Sequence, residues 1–469
     1  MNDREPDDAA PQPDDEGLRE LQRMLNEMLS GGGATQGFDP ATFAQAAGLP
    51  GDPAALQGLF ATMQQAMQNP SETIDWSTTR RIALETAREG TPASDSAAAL
   101  RAFPVASLWL DEATDVGQTA DAPRAINRIE WVQQTVDTWI SLAEPVAESI
   151  TRALTDALST QLPEQLQSTL GGIAPMLRSV AGALFATQLG QIVGKLATEV
   201  SAGGDVGIPL FSGEGREGGA LIPSGVTAFA DGLDQDEEAV TLYLAVRELA
   251  HARLFRHTRW LRLHLITAIT EYAKGMRIET SHIEDLARDL DPSDADAMQQ
   301  LVSSGALIPP KTPEQQSAHE RLETMLALIE GWVDVVTERA VSRLPGSEAI
   351  AEMVRRRRAV GGPAEHAFST LVGLELRPRR MREAAAMWRL VAERGGVSRR
   401  DALWAHPDLL PTAEELDHPA RLLERLGLAG ETPESVPADE FDQALAALLD
   451  EGLGDEKSTG TDDRDEPTP

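Results

Sequence analysis

The sequence contains no cysteine among its 469 residues. This absence excludes disulfides, thiolate zinc sites and cysteine nucleophiles together. Any metal ion would therefore be held by histidine, aspartate or glutamate side chains. The candidate metal ligands are therefore among the eight histidines and the 75 acidic residues.

We expect neither a secretory signal nor a membrane span in this sequence. The first 16 residues are acidic and contain proline, without the basic start and apolar centre of a signal peptide. The most apolar stretch, residues 173–200, is rich in Gly and Ala and is interrupted by Arg178 and Lys195. This pattern favours a buried or amphipathic helix over a membrane span. We expect a cytoplasmic protein with no transmembrane segment.

Positive charge is scarce, and the formal net charge is -34. Such a surface repels phosphate backbones, so we expect no nucleic-acid partner. Two basic runs, at residues 355–358 and 377–382, are local exceptions. Charge runs on helices usually form solvated faces that pair with nearby acids, and contact with an anionic partner is the alternative.

Several catalytic motifs are absent as well. The sequence has no phosphate-binding loop, no dinucleotide-binding glycine pattern between a strand and a helix, and no G-x-S-x-G elbow. These absences argue against a nucleotide-driven enzyme and against a serine hydrolase.

Composition divides the chain into three parts. Residues 1–70 mix Asp/Pro runs with glycine and predict a disordered acidic leader. Residues 71–430 carry the periodic apolar pattern of a folded domain, which could consist of two lobes divided near residues 291–312. Residues 431–469 predict a short helix and an acidic disordered tail.

The fold class predicted for the central part is mainly α. Apolar residues recur at helical spacing in a series of segments, at residues 79–89, 126–158, 163–200, 237–273, 313–343, 347–358, 364–374 and 379–393. Only the segment from Asp205 to Phe229 has a strand pattern. There residues 206–211 and 220–223 flank a glycine-rich turn, which predicts a small β-hairpin or sheet edge.

The segment Arg247-Glu248-Leu249-Ala250-His251 places three ionisable residues on one arc of a helix that is otherwise apolar nearly all round. Buried ionisable groups are costly unless they are paired or bound to metal. Helical zinc hydrolases use two histidines at i and i+4, with a glutamate after the first as general base. Glu248 and His251 match that spacing, but Arg247 stands at the first position and cannot bind zinc. A buried ion-pair network is the alternative.

A second helix, near residues 314–341, presents four polar side chains at the border of an apolar stripe: His319, Glu323, Glu330 and Asp334. One class of zinc hydrolases takes its third ligand from a glutamate on a downstream helix. Glu330 is the best candidate, because the neighbouring Gly331 allows another helix to approach closely. Alternatively, the four residues are the solvated edge of an amphipathic helix.

These segments resemble the actinobacterial zincin-like hydrolases and zinc-dependent metalloproteases. The matching pieces are Ile74-Asp75-Trp76, residues 205–210 (DVGIPL), residues 247–255 (RELAHARLF), Ile329-Glu330-Gly331-Trp332 and residues 373–378 (GLELRP). The resemblance covers roughly residues 70–430. It implies a zincin-like helical core, a hydrolase acting on peptides or proteins, and zinc as cofactor.

Transferred to this sequence, the resemblance makes Glu248 the general base, and His251 and Glu330 metal ligands. Arg247 stands where the family's other histidine would be. Two hypotheses follow. In the first, the chain is a zinc metallopeptidase with a degenerate R-E-x-x-H motif, in which His319 or Glu323 completes the ligand set. In the second, the chain is a catalytically inactive scaffold or interaction protein, and the guanidinium of Arg247 occupies the metal position.

Overall fold

A computed structural model describes residues 73–89, 96–161, 164–211, 215–233, 235–274 and 312–429. The predicted acidic leader, nearly all of the predicted lobe boundary and the predicted C-terminal tail lie outside these described residues.

Helices make up most of the described chain, which confirms the mainly α prediction. The first half contains α1 (Ser77–Arg88), α2 (Ala97–Asp111), α3 (Arg128–Gln161), α4 (Glu164–Glu199), α5 (Pro223–Ala230), α6 (Glu237–His257) and α7 (Trp260–Lys274). The second half contains α8 (Pro313–Ala340), α9 (Ser347–Val360), α10 (Pro363–Val372), α11 (Met381–Ala402), α12 (Ala413–Asp417) and α13 (Pro419–Arg425). Two single 3₁₀ turns, Leu403–Ala405 and Pro407–Leu409, join α11 to α12.

Helix α6 lies at the centre of the fold. It packs against α2 on one side and against α8 on another, while α8 also packs against α7 and α11. A Cβ atom at Gly331 of α8 would lie 2.6 Å from the Ala384 Cβ atom of α11. The glycine beside Glu330 therefore does allow close helix approach, as the sequence predicts.

The small sheet differs from the predicted hairpin. Strand β2 (Ala220–Leu221) pairs in parallel with β1 (Arg124–Ala125), and Ala202 adds a single antiparallel bridge to Leu221. Residues 206–211 form turns and extended backbone instead of a strand. The predicted sheet edge is therefore present at residues 220–221, but the hairpin alternative is not formed, because alternation and turn residues mark a strand without identifying its partner.

The predicted continuous helix over residues 237–273 is two helices. The break falls at Thr258, whose hydroxyl donates to the carbonyl of Leu254 at 2.6 Å. The Thr258 backbone has φ -101° and ψ 63°, outside the helical region. Apolar periodicity continues across this turn, so the pattern alone could not reveal the break.

Within the described ranges, no helix combines the length and apolar character needed to cross a bilayer. The apolar part of α4 instead packs against α1, α3 and α10.

Candidate functional site

Helix α6 is buried along nearly its whole middle, from Val240 to Leu254. Three ionisable residues share this environment: Arg247 and Glu248 are 2% exposed and His251 is 1% exposed. Their spacing places them on the arc that the sequence predicts. Each must find a partner, because an unpaired charge inside a protein is costly.

Glu330 of α8 supplies that partner for two of them. One nitrogen of the Arg247 guanidinium donates to Glu330 Oε2 in a short ion pair. The Nε2 atom of His251 lies 3.1 Å from Glu330 Oε1. Glu330 itself is fully buried. The structure therefore brings the predicted residues of two separate helices together at one enclosed carboxylate.

A second arginine, Arg358 of α9, reaches the same carboxylate from another side. Its Nε atom lies 3.6 Å from Glu330 Oε2, and its Nη2 atom donates to the carbonyl of Val206 at 2.9 Å. Sequence reasoning missed this residue by treating the run 355–358 as one solvated face. The sequence does contain a sign that Arg358 is buried. Arg358 continues the four-residue spacing of Ile350 and Val354 on the buried face of α9.

We call this group of residues the site cluster: Arg247, Glu248, His251, Glu330 and Arg358. Burial acts to raise the pKa of Glu330, but the guanidinium groups of Arg247 and Arg358 outweigh it and hold that pKa well below its usual range. Burial lowers the pKa of His251, so its imidazole is neutral at pH 7. Since an ionised carboxylate can only accept, His251 donates to Glu330 through Nε2–H.

Glu248 points to a different set of partners. The amide of Gly204 donates to Oε2 at 2.7 Å, and the amide of Ala220 donates to Oε1 at 2.8 Å. Burial raises the pKa of Glu248 to about 8, although both amides favour its charged form. Glu248 thus joins α6 to strand β2 and to the loop after α4.

This loop approaches the site cluster so closely that its glycine positions leave no room for a side chain. A Cβ atom at Gly204 would lie 2.8 Å from the Cβ atom of His251. Gly207 has φ +77°, and a Cβ atom there would lie 2.3 Å from Glu330 Oε1. The glycines of the segment 203–207 are therefore part of the site's geometry. The sequence pattern predicts a strand from residue 206 onward and gives no sign of this role for Gly203 and Gly204.

The remaining predicted site residues lie elsewhere on α8. Asp334 pairs with Arg355, with 3.0 Å between Oδ2 and Nη2. Glu323 lies 3.8 Å from Arg379. The ring of His319 packs near Tyr272, with 6.3 Å between ring centroids. None of the three is placed against Glu330 by a contact in the described structure.

Two cavities flank the site cluster. The first, which we call the cleft, has a volume of about 300 Å³ and is lined by Glu248 and His251 together with the loop 203–211 and the end of α6. The second, of about 320 Å³, is lined by Asp205, Arg358 and Glu365 among others. Glu330 lines neither cavity, although it contacts a residue of each. The ion pair thus lies between the cavities, and Glu248 and His251 face the cleft.

Comparison with protein families gives a match over most of the chain. A family described as zincin-like metallopeptidase matches residues 74–423. The chain belongs to this zincin-like metallopeptidase family. The match spans α1 to α13 and includes every residue of the site cluster, and it confirms the resemblance found in the sequence.

A solved structure gives further support for the fold. A crystal structure of a candidate hydrolase with a novel fold from Chloroflexus aurantiacus is 18% identical to this chain, with a TM-score of 0.52. The similarity covers 76% of this chain and 100% of that protein. At this identity the likeness concerns the fold alone. No curated protein matches the chain.

A zincin-like metallopeptidase implies a zinc ion, and the residues of this site do not fit one. Arg247 has no lone pair to offer, and both oxygens of Glu330 are engaged by Arg247 and His251. The two guanidinium groups beside Glu330 would also repel a divalent cation. Among the described residues, no three His, Asp or Glu side chains are arranged to hold a metal ion.

Proposed function

We propose that this member of the zincin-like metallopeptidase family is a catalytically inactive binding protein. The observation that carries the proposal is the Arg247–Glu330 ion pair. Arg247 stands at the position where the family's first histidine is expected. It bonds Glu330, the residue expected to be the downstream zinc ligand. The guanidinium replaces the charge of an ion without offering a site for a bound water.

The surrounding charges support the same proposal. Arg247 and Arg358 together place two positive charges beside Glu330, which is the charge of a zinc ion. His251 completes the shell of the carboxylate. Because Arg247, His251 and Arg358 each contact the Glu330 carboxylate, the network can hold its shape without metal.

The cleft supports a role in binding. It brings polar groups of α6 and an apolar wall together beside the site cluster, as expected of a surface that holds part of another molecule. A peptide or protein segment is the ligand that family membership suggests, and we propose that binding takes place in the cytoplasm.

Zinc analysis of purified protein tests the proposal. We expect less than ~0.1 zinc per chain after mild dialysis at neutral pH, because the R-E-x-x-H chain lacks a third ligand. The Arg247→His variant restores two histidines at i and i+4 and frees Glu330, so we expect it to bind about one zinc per chain. Arg356→His, on the exposed side of α9, is the matched control and should bind none.

One zinc per chain in the unmodified protein would overturn the proposal. Equal zinc binding by Arg247→His and Arg356→His would do so as well, because the effect would then be independent of the site.

A zinc metallopeptidase is the second candidate. The family match supports it, and so does Glu248, which faces the cleft with a pKa raised to about 8, the range of a general base or acid at neutral pH. Peptide cleavage by the unmodified protein that disappears in Glu248→Gln, together with stoichiometric zinc, would favour this candidate.

A further inference from the structure

The cleft is basic in a protein that is strongly acidic. Four arginines line it, at positions 216, 256, 259 and 262, and the other acidic residue on its lining besides Glu248 is Glu217. Glu217 is already paired with Arg256, with 2.9 Å between the charged atoms. The remaining three arginines therefore give the cleft an excess of positive charge, against a net charge of -34 for the chain.

Arg262 is the most informative of these three. It is partly buried, and its Nη2 atom donates to the hydroxyl of Thr138 at 3.1 Å. Burial lowers its pKa, and no carboxylate among the described residues pairs with it. A partly buried guanidinium without a carboxylate partner is unfavourable, so an anion bound in the cleft would stabilise Arg262.

Arg216 and Arg259 add exposed cations at the same opening. Neither forms an ion pair within the described part of the chain. Their long side chains can reach a bound anion without first breaking an internal pair.

The cleft is also lined by apolar side chains. These include Ile208, Leu210, Phe211, Ala252 and Phe255. A ligand that matches this lining carries both carboxylates and aliphatic or aromatic groups. An acidic peptide has this chemistry, whereas a long nucleic acid would bring its phosphates against the acidic remainder of the surface.

We infer that the cleft binds an acidic peptide segment, with Arg259 and Arg262 engaging its carboxylates while its apolar side chains pack on Phe211 and Phe255. The inference rests on the proposed function in treating the cleft as a ligand-binding surface. It adds the chemical class of the ligand.

Fluorescence anisotropy with the full chain tests the inference. The probes are a labelled, capped octapeptide in which Glu alternates with Leu or Ala, and its twin with Gln in place of every Glu. We expect the Glu peptide to bind at least ~10-fold more tightly than the Gln peptide, and this difference to shrink as salt rises. Arg259→Ala and Arg262→Gln should each weaken binding of the Glu peptide by ~5- to 10-fold.

Arg356→Ala is the matched control, because it removes one arginine charge from an exposed position outside the cleft. It should leave the affinity within about twofold of the unmodified protein. Arg259 is exposed, so its variant keeps the test valid if Arg262→Gln unfolds; thermal unfolding of each variant checks this.

Equal affinity for the Glu and Gln peptides would overturn the inference. So would equal losses in Arg259→Ala and Arg356→Ala, or tighter binding of a single-stranded oligonucleotide of the same charge. Zinc content is measured in a separate experiment. Failure of the Glu peptide to bind would therefore overturn the inference about the ligand without changing the zinc result that tests the proposed function.

Discussion

Two of the buried arginine–carboxylate pairs among the described residues differ in their surroundings. The first is Arg247–Glu330 in the site cluster. The second is Arg400–Asp401, enclosed in what we call the tryptophan cluster: Arg400, Asp401, Trp332, Trp388 and Trp404. Arg400 is fully buried, and its Nε atom lies 2.7 Å from Asp401 Oδ1.

In the tryptophan cluster, Asp401 and Arg400 also bond to neutral groups. The indole of Trp332 and the hydroxyl of Thr114 donate to Asp401 at 2.9 and 2.6 Å, and Arg400 donates to the carbonyl of Ala113. None of its members lines either of the two cavities. It joins α11 to α8 and to the end of α2, which is a structural role.

The site cluster holds a histidine and two further charged groups, and two of its members face the cleft. The comparison teaches that a buried ion pair does not by itself identify a functional site. The distinguishing features are titratable neighbours and contact with a cavity.

The largest effect should be shared by both clusters. Glu330→Ala leaves the buried Arg247 without its carboxylate partner, and Asp401→Ala does the same to Arg400. Each change should therefore lower the free energy of unfolding by about 3 to 5 kcal/mol, because an uncompensated buried charge remains. Urea unfolding monitored by circular dichroism measures both. A loss of a few tenths of a kcal/mol in either variant would mean that its pair is not buried in solution.

Replacing both partners should cost less than removing one. In the double variant Arg247→Met with Glu330→Leu, no unpaired charge remains from the pair, while Arg358 keeps Glu365 at 3.4 Å. We expect a destabilisation of about 2 kcal/mol, well below the sum of the two single changes. Additive single and double effects would contradict a direct coupling between Arg247 and Glu330.

Measured per pH unit, the smallest effect is a pH dependence specific to the site cluster. The pKa of Glu248 is raised to about 8 in the folded protein, so the stability that this group contributes is fully present below its unfolded pKa of about 4.5 and is lost as pH rises through 8. Relative to Glu248→Gln, the unmodified protein should lose up to ~1.4 kcal/mol per pH unit over that window. Unfolding curves from pH 5 to 8 measure the difference.

A difference that is flat over this window would contradict the raised pKa of Glu248. Asp401→Asn is the control from the other cluster, and its unfolding curves are to be recorded over the same pH values.

The sequence predicts much of this architecture because helical periodicity is a local signal. The bounds of α3 and α8 and the buried arc of Arg247, Glu248 and His251 follow from apolar spacing alone. The choice of Glu330 among four polar residues of α8 followed from the adjacent Gly331 and from the family resemblance. The structure places Glu330 against His251, while its role as a ligand stays a prediction.

The features of the fold and site that the sequence does not predict depend on contacts between segments distant in sequence. Nothing local predicts that amides of Gly204 and Ala220 hold Glu248, because those partners lie on a loop and a two-residue strand. The pairing of β2 with β1 joins residues almost one hundred positions apart. Arg358 was recognisable only by treating a charged residue as a member of an apolar face.

We propose that the Arg247 guanidinium, bonded to Glu330, stands in place of a metal ion. Anomalous scattering at the zinc edge, from crystals grown with excess zinc, shows whether zinc or the guanidinium contacts Glu330. We predict no zinc peak beside His251 and a guanidinium in contact with Glu330. A peak at the usual bonding distance of about 2 Å from both His251 and Glu330, with Arg247 displaced, would contradict the account.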